Sequence, residues 1–258
     1  MKVIIGFVFV ISSFLNAQTI GVVDFMKVEP ENTQAYMEVE KMWKNIHQTR
    51  LKKGLIKFWG LYGIMFSGAN NEYNYVTVTH YNSMKDFDNS YSNEINQEAF
   101  SGKSQREINR MMDKTGPSRT LVRSQPFNLL SRTETLPSEP TSILLVNFMT
   151  VEPGGNSDYV DLEREIYKDV HEESVKQGGR SGWSVWGKIG GDLTSRQFVT
   201  VDSYSSWDQI DQESNFGDLF KKVHPDKNME EVSDKTIKSR ILEKREIWRL
   251  IDSVRPSN

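Results

Sequence analysis

Two histidines, His47 and His171, occupy matching places in two similar stretches of the chain, which makes them the first residues to weigh for chemistry. An imidazole there can serve as a general acid or base, or as the axial ligand of a haem iron. Each lies near the C-terminal end of a helical stretch, where an imidazolium is favoured and where histidine is also an ordinary helix-end residue. The nearest repeated carboxylate is Glu40, matched by Glu163. Along a helix Glu40 and His47 are roughly 10 Å apart, too far for a hydrogen bond, so no His–carboxylate dyad is present.

The ligand-binding candidates are aromatic and polar. Trp59, Tyr62, Trp183 and Trp186 sit in strands that follow the helices, where they can stack on a planar ligand or fill a core. Asp24 and Asn147 are matched polar residues inside apolar first strands, and a buried polar side chain needs partners. They read as interior hydrogen bonders or as pocket residues. Arg119 and Arg240 open the closing strands and read as ion-pairing residues. The four histidines are scattered without metal-ligand spacing, so no metal site is expected. No zinc-protease, Walker, nucleophile-elbow or dinucleotide motif is present, and no cofactor is called for by the residues themselves. The run Lys221 to Asn228 contains a His-Pro-Asp tripeptide similar to that of J-domain co-chaperones. The segment before it is strand-like rather than helical, so it reads as a proline-marked break.

The elements that position these residues are duplicated. Val28-Glu29-Pro30 recurs as Val151-Glu152-Pro153, a shift of 123 (28 to 151), with Tyr36 returning as Tyr159. His47, Gly54, Trp59 and Gly63 recur at a shift of 124 as His171, Gly178, Trp183 and Gly187, so the second helix holds one extra residue. Val76-Thr77-Val78 and Tyr81 return as Val199-Thr200-Val201 and Tyr204. Such register over most of the chain marks an internal repeat. Each copy reads as strand, helix, hairpin of two strands, polar helical segment and closing strand. Pro30 and Pro153 stop the first strands, and Gly54 and Gly178 suit the helix ends. The chain divides into residues 1–17, a first repeat over 18–130, a linker over 131–141 and a second repeat over 142–258.

The order β-α-β-β-α-β is the ferredoxin-like arrangement. With two copies in tandem, the chain resembles the dimeric α+β barrel superfamily. The expected fold is α+β, with two ferredoxin-like repeats packed sheet to sheet as a pseudo-dimeric α+β barrel. The resemblance implies a ligand cleft between sheet and helices. Superfamily members include cofactor-free monooxygenases, haem enzymes such as chlorite dismutases, and lactone isomerases.

Composition narrows the rest. A formal charge of −3 and a pI near 5.9 give no footprint for a polyanion, so nucleic acid is not an expected partner. The absence of Cys excludes disulfides, thiolate metal sites and lipid attachment at an N-terminal cysteine. Lys2, the apolar run 3–15 and Asn16-Ala17-Gln18 have the order of a secretory signal peptide, so a periplasmic or secreted protein is expected, without stable membrane insertion after cleavage. The sequence thus points to an exported protein holding a small, largely apolar ligand, as monomer or homodimer. The alternatives are an enzyme resembling cofactor-independent monooxygenases or haem-dependent superfamily members, and a structural or interaction protein.

Overall fold

The computed structural model describes residues 19–88, 91–135, 137 and 141–256. The expected signal peptide lies outside the described residues. In the first half, β1 (Ile20–Lys27) leads into α1 (Thr33–Lys52), then β2 (Phe58–Ile64) and β3 (Tyr75–Tyr81). Short helices α2 (Asn93–Ala99), α3 (Gln105–Met112) and α4 (Thr115–Ser118) precede β4 (Thr120–Arg132). The second half repeats the order: β5 (Ile143–Thr150), α5 (Asn156–Leu162), α6 (Lys168–Lys176), β6 (Gly182–Lys188) and β7 (Phe198–Tyr204), then α7 (Trp207–Asp211), α8 (Phe216–Val223), α9 (Met229–Ser239) and β8 (Ile241–Val254). β4 runs to Arg132, two residues into the stretch read as linker. The His-Pro-Asp tripeptide falls where α8 ends, as the proline predicts.

The strands close into an antiparallel barrel in the order β1-β3-β2-β8-β5-β7-β6-β4. Each half therefore contributes its strands in the same spatial order, fourth-first-third-second. The two halves of the chain pair along both edges, β2 with β8 and β4 with β6. Edge pairing satisfies strand groups that two merely stacked sheets would leave exposed.

Strand alternation sorts the side chains into an inner and two outer layers. Along β1, Val23 and Phe25 point into the barrel, while Ile20 and Met26 point to the face covered by α1. Barrel-facing residues form one aromatic-rich core with Tyr62, Tyr73, Phe148 and Trp248. α1 buries Tyr36, Val39, Met42, Ile46 and His47. It ends at Gly54, whose φ of +70° suits glycine.

The extra residue of the second helix has a structural signature. α1 is unbroken, whereas its counterpart is split by a π-helical turn at Glu163–Tyr167 between α5 and α6. A π-turn absorbs one inserted residue while keeping both flanking faces in register. Tyr159 before it and His171 after it therefore occupy the places of Tyr36 and His47. Among the described residues, no helix is long and apolar enough to cross a membrane.

Candidate functional site

The barrel interior is not completely filled. A cavity of about 590 Å³ lies inside it, against Val23, Tyr62, Val78, Val146 and Trp186. Its floor is an aromatic cluster in which Phe25 packs edge-on against Tyr73 at 4.7 Å and against Trp248 at 6.3 Å. Below the floor, Glu246 is buried and accepts from Tyr73 Oη at 2.9 Å and Trp248 Nε1 at 2.8 Å, with Lys244 Nζ at 2.6 Å. This polar plug closes that end of the barrel.

The opposite end is lined by His80, Lys57, Arg132 and Arg255, with the hydroxyls of Thr19, Ser184 and Ser203. The His80 ring lies between Phe58 and Trp186, each at 5.2 Å between ring centroids. Trp186 Nε1 donates to Ser184 Oγ at 2.8 Å, which fixes the indole. The cavity depends on Gly21: a Cβ there would stand 3.1 Å from the Trp186 ring. The repeat counterpart of Gly21 is Leu144 and that of His80 is Ser203, so the opening is asymmetric. Burial, followed by the charges of Lys57 and Arg132, lowers the His80 pKa to about 4. The ring is neutral at pH 7.

The residues proposed from sequence divide between the two faces of the sheet. Tyr62 and Trp186 line the barrel cavity. Trp59 and Trp183 do not; they lie under the helices, each with a histidine stacked on it. His47 stacks on Trp59 at 4.8 Å and His171 on Trp183 at 4.9 Å, both nearly parallel. The expected location, a cleft between sheet and helices, is thus occupied by side chains around these histidines, and the open cavity lies on the other face. The reason is packing: each helix lays its apolar face directly on the sheet, whereas the inner walls of the barrel cannot all meet at its centre.

An arginine holds each of these histidines. Arg50 Nη1 lies 2.8 Å from His47 Nδ1, and Arg180 Nη1 contacts His171 Nδ1. A guanidinium only donates, so Nδ1 accepts and the ring proton sits on Nε2. Neither nitrogen then keeps a lone pair for a metal or for a substrate proton. Burial first, then the neighbouring arginines, holds both imidazoles well below the ordinary histidine range. His47 and His171 therefore do not fit the part of an axial haem ligand. Haemin mixed with the purified protein is expected to give no Soret band that His47→Ala or His171→Ala removes; a band lost in either variant would overturn this assignment.

Asp24 and Asn147 face the helices, not the barrel interior. Asp24 accepts from Thr77 Oγ1 at 3.5 Å, and burial raises its pKa against the pull of Ser124 and the nearby arginines. Asn147 donates to Thr200 and accepts from Arg245 Nε at 2.6 Å. Arg119 forms an ion pair with buried Glu40. These are hydrogen-bonded networks beneath each helix. The residues that sequence reasoning missed are His80, Lys57, Arg132 and Gly21 at the cavity, and Arg50 and Arg180 beside the paired histidines.

No family model and no curated protein matches the sequence. Solved structures match in fold. A provisionally assigned monooxygenase from Fusobacterium nucleatum superposes with a TM-score of 0.55 at 12% identity, covering 92% of this chain and 94% of that one. One from Lactobacillus acidophilus gives 0.54 at 10% identity, covering 91% and 93%. An anthrone oxidase-like protein gives 0.50 at 10% identity, covering 93% and 94%. At such identities the likeness speaks for fold alone, and it spans both halves of the barrel. Together with the closed eight-stranded sheet and the helices outside it, these matches place the chain in the dimeric α+β barrel fold.

Proposed function

We propose that this protein binds a small, largely apolar molecule inside its barrel, with two ferredoxin-like repeats supplying the walls from a single chain. The observation that carries this reading is the cavity of about 590 Å³, open beside His80 and walled by aliphatic and aromatic side chains. Pockets of roughly 300–1,000 Å³ with a few convergent polar groups are the usual size and chemistry for small ligands. Both halves contribute to the wall, so one chain suffices to complete the site. The reading includes export to the periplasm or beyond. Cleavage after Ala17 would leave β1, which starts at Ile20, whole. N-terminal sequencing of the protein from a periplasmic fraction tests this, and a chain still beginning at Met1 would refute export with cleavage.

Trp186 supplies the assay for binding. A small aromatic such as 2-naphthalenemethanol is expected to quench or shift tryptophan emission saturably. Gly21→Leu, which puts the counterpart of Leu144 into the cavity, is expected to weaken that binding by about tenfold or more, since about 1.4 kcal/mol of lost contact suffices. Equal binding by the variant, with its fold intact by circular dichroism, would move the ligand elsewhere.

A second reading, catalysis on the bound molecule, is favoured by His80. It is the imidazole lining the cavity, it is neutral at pH 7, and among the described residues no hydrogen bond is made by its ring nitrogens. It can therefore accept a proton from a bound carbon acid. The fold is shared with proteins assigned as monooxygenases and with one like anthrone oxidase. Oxygen uptake with anthrone, reduced in His80→Ala, would support this reading; uptake unchanged by that substitution would discard it.

A further inference from the structure

The mouth of the barrel carries charge that an apolar ligand does not explain. Lys57 and Arg132 line the cavity, and among its described lining residues there is no Asp or Glu. This concentration of cations occurs in a chain whose formal charge is −3. Lys57 Nζ donates to Thr19 Oγ1 at 3.3 Å, a weak and neutral partner. Neither Lys57 nor Arg132 has a carboxylate within ion-pair distance among the described residues. The acid nearest Arg132 in sequence, Glu134, makes its direct ion pair with Lys168 at 2.7 Å and feels the Arg132 charge only from farther off. Several other cations of the protein pair with carboxylates, Arg119 with Glu40, Arg180 with Asp202 and Glu213, and Lys244 with Glu246.

Resting on the cavity reading above, we infer that the mouth recognises the anionic head of an amphipathic ligand, a carboxylate or sulfonate whose apolar body enters the barrel. Arg132 presents a planar fork that suits two oxygens of such a head, and Lys57 adds a point charge beside it. The hydroxyls of Thr19 and Ser203 stand at the same end to complete its hydrogen bonds. Below the head, the sandwich of Phe58, His80 and Trp186 offers flat faces to a planar body. The polar plug at Glu246 ends the apolar channel, so the ligand is oriented head outward.

The test compares two probes of one shape, 2-naphthoate and 2-naphthalenemethanol, by calorimetry on the mature full-length chain. At low salt the wild type is expected to bind naphthoate about tenfold more tightly than the alcohol, with the margin shrinking as salt rises. Arg132→Gln combined with Lys57→Gln should remove that margin while leaving alcohol binding unchanged, and the retained alcohol binding reports an intact fold. If the double variant fails to fold, Arg132→Gln alone is expected to remove most of the margin. Equal affinities for both probes in the wild type would overturn the anion inference and leave the cavity reading standing. Failure of both probes to bind would overturn the cavity reading itself.

Discussion

Replacing Arg180 by Met is expected to destabilise the protein by about 3–5 kcal/mol, the usual cost of breaking a buried ion cluster from one side. Arg180 is 8% exposed and its guanidinium faces Asp202 and Glu213 together. Arg180 Nε donates to Glu213 Oε1 at 2.7 Å, an oxygen that also accepts from Ser174, while Tyr204 Oη donates to Oε2 at 2.9 Å. Removing the cation leaves two carboxylates facing one another without the guanidinium that bridges them. Neutralising both, in Arg180→Met/Asp202→Asn/Glu213→Gln, should restore most of the loss. The pH dependence has a definite sign. Burial already raises the Asp202 pKa, and without the guanidinium it rises further. The folded variant then binds more protons than its unfolded chain, so the loss shrinks as pH falls from 7 toward 5. Urea denaturation at both pH values reads this. A loss under about 1 kcal/mol at pH 7 would mean that the cluster is not held by its arginine.

The repeat made the architecture legible, and the same repeat misdirected the search for a site. Register alone matched Trp59 with Trp183 and His47 with His171, and a single inserted residue in the second helix became the π-turn at Glu163–Tyr167. Yet residues shared by both halves are those that both halves need for packing. The two histidines stack on their tryptophans with nearly the same geometry because they do the same structural work. The open cavity arises where the halves differ, at Gly21 against Leu144 and His80 against Ser203. A filter for matched residues discards those positions.

Two other features were hidden for physical reasons. Both faces of β1 are largely apolar, so alternation could not say which face meets the helix and which meets the other half. The arginines that hold the histidines come from unmatched positions. Arg50 reaches His47 from the same helix, three residues on, whereas Arg180 approaches His171 from the chain just before β6. Their common destination is a property of the folded surface and leaves no shared spacing in the sequence.

One matched pair should respond to the same substitution by different amounts. Glu40 and Glu163 hold the same place in the repeat and both are buried. Burial raises the Glu163 pKa to about 7, against smaller opposing pulls from Tyr159 and Arg240, and among the described residues no cation lies within ion-pair distance of it. Between pH 4.5 and 7 the folded chain therefore holds a proton on Glu163 that the unfolded chain has lost. Stability contributed by this group is complete below about pH 4.5 and falls as pH rises to 7, by about 3 kcal/mol in all. Gln mimics the protonated form, so Glu163→Gln should match the wild type near pH 5 and exceed its stability at pH 8. For Glu40, burial likewise pushes the pKa to about 7, even with the Arg119 guanidinium in contact pulling the other way. Glu40→Gln would also remove the charge that Arg119 faces, so it should gain less at pH 8 than Glu163→Gln, by on the order of 1–3 kcal/mol. Thermal or chemical denaturation of the two variants at pH 5 and 8 separates the cases. Equal gains in the two variants would show that shared burial, rather than local ion pairing, governs these carboxylates.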